Sequence, residues 1–319
     1  DKPLDGRVVT AILRSAGGDG GQWHMAASLV KKYGVVPSYA MPESFNTNAT
    51  SGFAESLHTK LVKDALALRS LVQKGDESGI EEARKTFLNE IYRMTAIAVG
   101  EPPKQFDLEY RDDKKAYHLE KNLTPVDFYN KYFKDLDLSD YVVLTNAPDH
   151  DYNKLYALPS QDNVNGAFKI ELLNVPMSYL RQASVAQLKD GEAVWFGNDV
   201  LKQMDRKTGY LDLDLYKLDD LYGVDTTMTK KERLQTGVGE VSHAMTLVGV
   251  DEDHGEIRQW KVENSWGEKS GEKGFFVMSN DWLNEYVYEV VVHKKYLTPE
   301  QVKLAEGPAT PLPAWDSLA

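Results

Sequence analysis

The apolar residues change their spacing once, near residue 140, and that change restricts the chain to a fold with a helical part and a β-rich part. Between residues 55 and 100 they recur at helical intervals. Leu57, Leu61, Ala65, Leu68 and Val72 form one stripe; Ala83, Phe87, Ile91 and Met94 form a second. The glycines and acidic residues at 75–79 separate the stripes and predict a helical hairpin. Upstream, the glycine-dense stretch 17–21 leads into a predicted helix over 22–32, with Trp23, Ala26, Ala27 and Val30 on one face and Gly34 as its stop. Thr124 before Pro125 marks another helix start. Beyond 140 the expected elements are strands, over 141–144, 167–173, 192–196, 241–250, 257–263, 275–278 and 289–292. Residues 251–255 read as a hairpin loop and 281–288 as a short helix or loop. The proline-rich stretch 307–315 predicts an extended arm.

Charge and residue usage narrow the function classes. Asp and Glu number 49 against 37 Lys and Arg, a formal charge of −12, and that field repels phosphate backbones, so no nucleic acid partner is expected. The longest apolar runs fall far short of the ~20 residues a bilayer needs, so no membrane partner is expected either. There is no Cys, which removes disulfides and thiolate metal sites and fits a reducing cytoplasm. The first residues lack both Met and a signal-peptide pattern, which predicts a piece of a longer protein.

Two polar residues stand at informative places. His243 shares a strand face with Val241, Met245 and Leu247, and alone it reads as a structural histidine. Asn264 ends the next predicted strand and enters the turn Ser265-Trp266-Gly267. Adjacent antiparallel strands can set the two side by side. An Asn amide would then accept the proton on one ring nitrogen and leave the other to serve a nucleophile, with Trp266 covering the contact from water. A plain structural turn accounts for the same residues, and at this level the two readings stay open. The remaining histidines show no metal-ligand spacing, so no metal and no organic cofactor is expected. Asp149-His150-Asp151 and the acidic residues before His254 read as solvated turns.

Ser242-His243-Ala244-Met245, then Glu263-Asn264-Ser265-Trp266-Gly267, then Gly271 and Gly274 before Phe275 resemble, in order, the second half of a papain-like cysteine peptidase. Gly20 and Gly21 match that family's Gly-Gly cleft wall, where bare backbone pairs with substrate; a tight turn needing positive φ is the alternative. Residues 191–200, 211–216 and the Ala314-Trp315-Asp316 ending are similar to the bleomycin hydrolase and bacterial aminopeptidase C branch. The resemblance implies an α+β papain-like fold with a helical remnant, an antiparallel β-barrel half, a helical insertion and an extended C-terminal arm. The implied division is 1–50 for the helical remnant, 51–140 for the insertion, 141–296 for the β-rich half and 297–319 for the arm.

The same resemblance implies peptide hydrolysis by a Cys–His–Asn site, with His243 and Asn264 as catalytic residues. Gly20, Gly21, Trp266 and Ala319 are the implied substrate-binding residues. The Cys belongs to a segment preceding Asp1, so this chain by itself is expected to be inactive. Family members assemble as homohexamers, and their terminal carboxylate meets the substrate amine. Here the chain ends soon after Trp315-Asp316. An arm too short for the amine position would give an endopeptidase, and a frayed terminus would have no role. An acyl-transferring enzyme and a non-catalytic binding module are the other readings.

Overall fold

The computed structural model describes residues 2–319. They form two compact units: one runs to Leu136 and adds Asp162–Phe168, the other comprises Asp137–Gln161 and Lys169–Ala319.

The first unit contains α1 (Arg7–Ser15), α2 (Trp23–Tyr33), α3 (Phe45–Asn48), α4 (Ser51–Lys74), α5 (Glu77–Val99), β1 (Phe106–Arg111), β2 (Tyr117–Leu123) and α6 (Pro125–Tyr132). The expected hairpin is α4–α5, with a tighter turn than its glycines suggested. Gly75 closes α4 in the left-handed region, and the Asp76 side chain accepts from Gly79 N to open α5. Its stripes are only partly covered: Val72 is exposed, and Asp64 is the buried residue of α4, paired with Lys60, which also reaches Glu90. In α2 the buried residues are Ala27 and Ser28, and Ala26 is exposed, because the Ser28 hydroxyl accepts from Phe168 N. That bond also corrects the strand expected over 167–173: the strand begins only at Glu171 and runs Glu171–Asn174. The β1–β2 ribbon was not legible, since only Phe106 and Leu108 of β1 are buried among charged neighbours.

The second unit runs β3 (Tyr141–Thr145), β4 (Lys154–Ala157), β5 (Glu171–Asn174), α7 (Met177–Lys189), β6 (Val194–Asn198), β7 (Met204–Asp205), β8 (Tyr210–Leu211), α8 (Leu218–Tyr222), α9 (Lys230–Thr236), β9 (His243–Asp253), β10 (Glu256–Glu263), β11 (Phe275–Ser279), α10 (Asn280–Tyr286), β12 (Val287–His293), α11 (Pro299–Ala305) and β13 (Thr310–Pro311). Eleven strands make one sheet in the order β13-β4-β5-β3-β12-β6-β9-β10-β11-β8-β7. Pairing is antiparallel except at β13–β4, β3–β5 and β11–β8. β12 lies in the middle of the sheet, which explains why its valines run continuously instead of alternating. Trp260, Trp282, Phe196, Leu144 and Leu173 are fully buried in the core cluster, which places a rigid support beneath β6, β9 and β10.

Helix α7 gave no sequence signal because half of its buried face is polar: Leu180 and Ala183 share it with Ser184 and Gln187. Gln187 replaces apolar packing with hydrogen bonds, donating to Ala193 O and accepting from His293 N.

Candidate active site

β9 and β10 are joined by the two-residue turn His254-Gly255, both at positive φ, so Asp253 pairs with Glu256 and the hairpin register is fixed. His243 is the first residue of β9, and Asn264 follows the last residue of β10. The hairpin therefore brings both to one end of the sheet. His243 Nε2 lies 2.9 Å from Asn264 Oδ1. The amide oxygen can only accept, so the imidazole proton sits on Nε2 and Nδ1 is left to exchange a proton with another group.

Neighbouring groups hold this pair in place. Asn264 is buried, and its backbone N–H donates to Gly274 O at 3.0 Å. The return from β10 to β11 is tight: Gly271 has φ +59, and a Cβ there would stand 2.3 Å from Phe275 O. Trp266 stacks obliquely on His243 with ring centres 4.8 Å apart and meets Phe276 edge-on. The guanidinium of Arg206 lies over the Trp266 ring at 4.7 Å, and its Nε donates to Ser270 Oγ. Below the pair, β6 supplies Asn198, fully buried, whose side chain donates to His243 O at 3.2 Å. Arg206 and Asn198 were missed from sequence, where neither carries a local signal; register places Asn198 opposite His243.

Of the residues singled out from sequence, His243, Asn264 and Trp266 meet at one point. Gly20 and Gly21 belong to the first unit, ahead of α2. Neither has positive φ, so the tight-turn expectation is corrected for them and passes to Gly17, at φ 78. A Cβ on Gly20 would touch nothing within 4 Å, so packing does not require the missing side chain. Three residues beyond Gly21, His24 is held neutral: burial, against a weaker pull from Asp162, lowers its pKa to about 4.

Ala319 ends the second unit. β13 pairs with the sheet edge at β4, and the final residues then fold into two successive turns, Asp316 N to Pro313 O and Ala319 N to Asp316 O. Asp149 and His150, expected in a solvated turn, are instead largely buried against this ending; Asp151 and His254 are solvated as expected.

The sequence model of the Peptidase C1-like family matches residues 1–319. The chain belongs to that family. Among its relatives, Aminopeptidase E of Lactobacillus helveticus is 72% identical over 319 residues, covering 100% of this chain and 73% of the relative. Aminopeptidase G of Lactobacillus delbrueckii subsp. lactis is 73% identical with the same coverage. Human bleomycin hydrolase is 40% identical over 325 residues, covering 99% of this chain and 71% of the relative. A crystal structure of pepw from Lactobacillus rhamnosis HN001 superposes with TM-score 0.96 at 44% identity, covering 100% of this chain and 72% of that one. The family membership and the α+β fold agree with what the ordered His, Asn and glycine motifs implied.

Proposed function

We propose that this chain carries the proton-transfer half of a cysteine aminopeptidase that removes N-terminal residues from peptides. The observation that carries the reading is the 2.9 Å contact from His243 Nε2 to Asn264 Oδ1, with Trp266 against the ring. The names of the aminopeptidase relatives point to the same reaction. The 319 residues include no Cys, so in this proposal the nucleophile comes from a preceding segment of a longer protein.

With Nε2 committed to Asn264, His243 Nδ1 takes the thiol proton. The thiolate adds to the scissile carbonyl, and the imidazolium returns the proton to the leaving amine. Water then hydrolyses the thioester, with His243 accepting its proton. Asn264 keeps the ring in one tautomer and orientation throughout. Gly20 and Gly21 offer backbone to the substrate strand, and the Ala319 carboxylate meets the substrate ammonium, which confines cleavage to the first peptide bond. The family resemblance further supports a cytoplasmic homohexamer, which light scattering and cell fractionation would test.

Assay of the intact protein on paired free-amine and blocked-amine peptides tests the reading. His243→Ala should lower kcat/KM by about 10³-fold or more on the free-amine substrate. Full activity of that variant would refute it.

A further inference from the structure

The structure assigns His150 as the positioning residue of the C-terminal ending: gripped between Asp149 and Asp316, it fixes the last four residues and thereby sets the balance between exopeptidase and endopeptidase cleavage. This rests on the proposal that the Ala319 carboxylate anchors the substrate amine.

His150 stands on a rigid platform. The β3–β4 loop that carries it is stapled by Asn174, whose fully buried side chain accepts from Ala147 N and donates to the carbonyls of Ala147, His150 and Asp151. Asn146 adds bonds to Val175 O and from Lys230 Nζ. Both ring nitrogens of His150 face carboxylates: Nδ1 lies 3.0 Å from Asp149 Oδ1, and Nε2 lies 3.1 Å from Asp316 Oδ1. The three side chains are only 14%, 6% and 14% exposed, in the order His150, Asp149, Asp316. Every residue of the ending is tied to this cluster. Ser317 Oγ donates to Asp149 Oδ2 at 2.7 Å, Leu318 N donates to Asp316 Oδ1, Leu318 is buried, and Ala319 N donates to Asp316 O. The described residues contain no group of three or more such side chains placed to hold a metal ion.

The chemistry of the grip requires a charge. A neutral imidazole donates from one nitrogen only, so the other would set its lone pair against a carboxylate. An imidazolium suits both sides at once, as an ion pair toward Asp149, whose Oδ1 and the facing Nδ1 are not aligned for a hydrogen bond, and as a donor to Asp316 from Nε2; without that charge the two carboxylates lose the cation between them. Burial opposes that charge, but Asp149 and then Asp316 outweigh it and hold the His150 pKa above the ordinary histidine value. The other groups facing the ring do not alter this balance. Tyr156 of β4 meets it edge-on, with its hydroxyl engaged by the Asp151 backbone. Asp151 and Lys154 pair at the exposed rim, and β5 contributes uncharged Asn174. The sign follows: the grip is complete below the ordinary histidine pKa and is lost as pH rises through the raised value.

The test uses the intact peptidase and two readouts, mass-spectrometric release of Ala and Leu by carboxypeptidase, and the ratio of blocked-amine to free-amine cleavage. In the wild type both should rise between pH 6 and pH 9. His150→Gln and Asp316→Asn should each raise both about tenfold at pH 6 and abolish the pH dependence, a response that a purely structural role would not produce. If both variants match the wild type in release and in ratio, the positioning role is overturned. Deletion of residues 316–319 separates the two claims. An unchanged cleavage ratio after deletion overturns the amine-anchor reading, and carboxypeptidase release then decides the role of His150 alone.

Discussion

Glu289 is an acidic residue in the middle of the sheet, and its pH dependence can be worked out from its surroundings. It lies on β12 between Thr145 of β3 and Gly197 of β6, almost fully buried. The carboxylate fits only because residue 197 is glycine: a Cβ there would come within 2.6 Å of Glu289 Oε1. Burial alone raises its pKa from 4.5 to about 7. The folded state therefore keeps a proton that the unfolded chain releases above 4.5. Stability from this group is full below that pH and is lost as pH climbs to 7, where the internal carboxyl ionises and the loss levels off. The full span corresponds to roughly 3 kcal/mol, of which about 1 kcal/mol is already lost at pH 5. Glu289→Gln keeps the shape and removes the titration. Its stability relative to wild type should therefore grow by roughly 2 kcal/mol between pH 5 and pH 8. Urea unfolding followed by tryptophan fluorescence reads this unit directly, because among the six tryptophans only Trp23 lies outside it. A gap that stays constant across this range would refute the reasoning.

Asn264→Ala frees His243 Nε2 and should lower kcat on the order of 10²-fold with little change in KM, as measured by steady-state kinetics. Gly271→Ala forces a Cβ toward Phe275 O at φ +59; thermal melting should show a loss of about 2 kcal/mol or more, and kcat should fall as the Gly274 bond to Asn264 shifts. Lys230, buried, donates to Asn146 Oδ1 and to the carbonyls of Asn284 and Val287. Lys230→Ala strands all three acceptors and should cost about 3 kcal/mol in urea titrations, whereas an unchanged midpoint would show that water replaces the amino group.

What was legible in the sequence is local. Hydrophobic period located the α4–α5 hairpin and most long strands, because the spacing of apolar residues follows from the element's own geometry whatever its partner. Short pieces toward the two ends of the sheet, β4, β7, β8 and β13, were not visible, since two to four residues carry too little pattern and their pairing is set by distant strands. Helix α7 was hidden for the related reason that Gln187 and Ser184 sit where an apolar stripe would announce a helix.

The site divides in the same way. His243 and Asn264 were readable together because they sit at one end of a hairpin only 21 residues long in sequence separation, and turn chemistry at His254-Gly255 fixes such a register locally. Asn198 and Arg206 reach the site through strand order and a ring contact, which no local spacing encodes. His150 and Asp316 are 166 residues apart, and the sequence made the first a solvated turn and the second part of an arm. Burial of charge depends on what the rest of the chain lays over a residue, so the placing of a histidine between two carboxylates exists only in the tertiary structure.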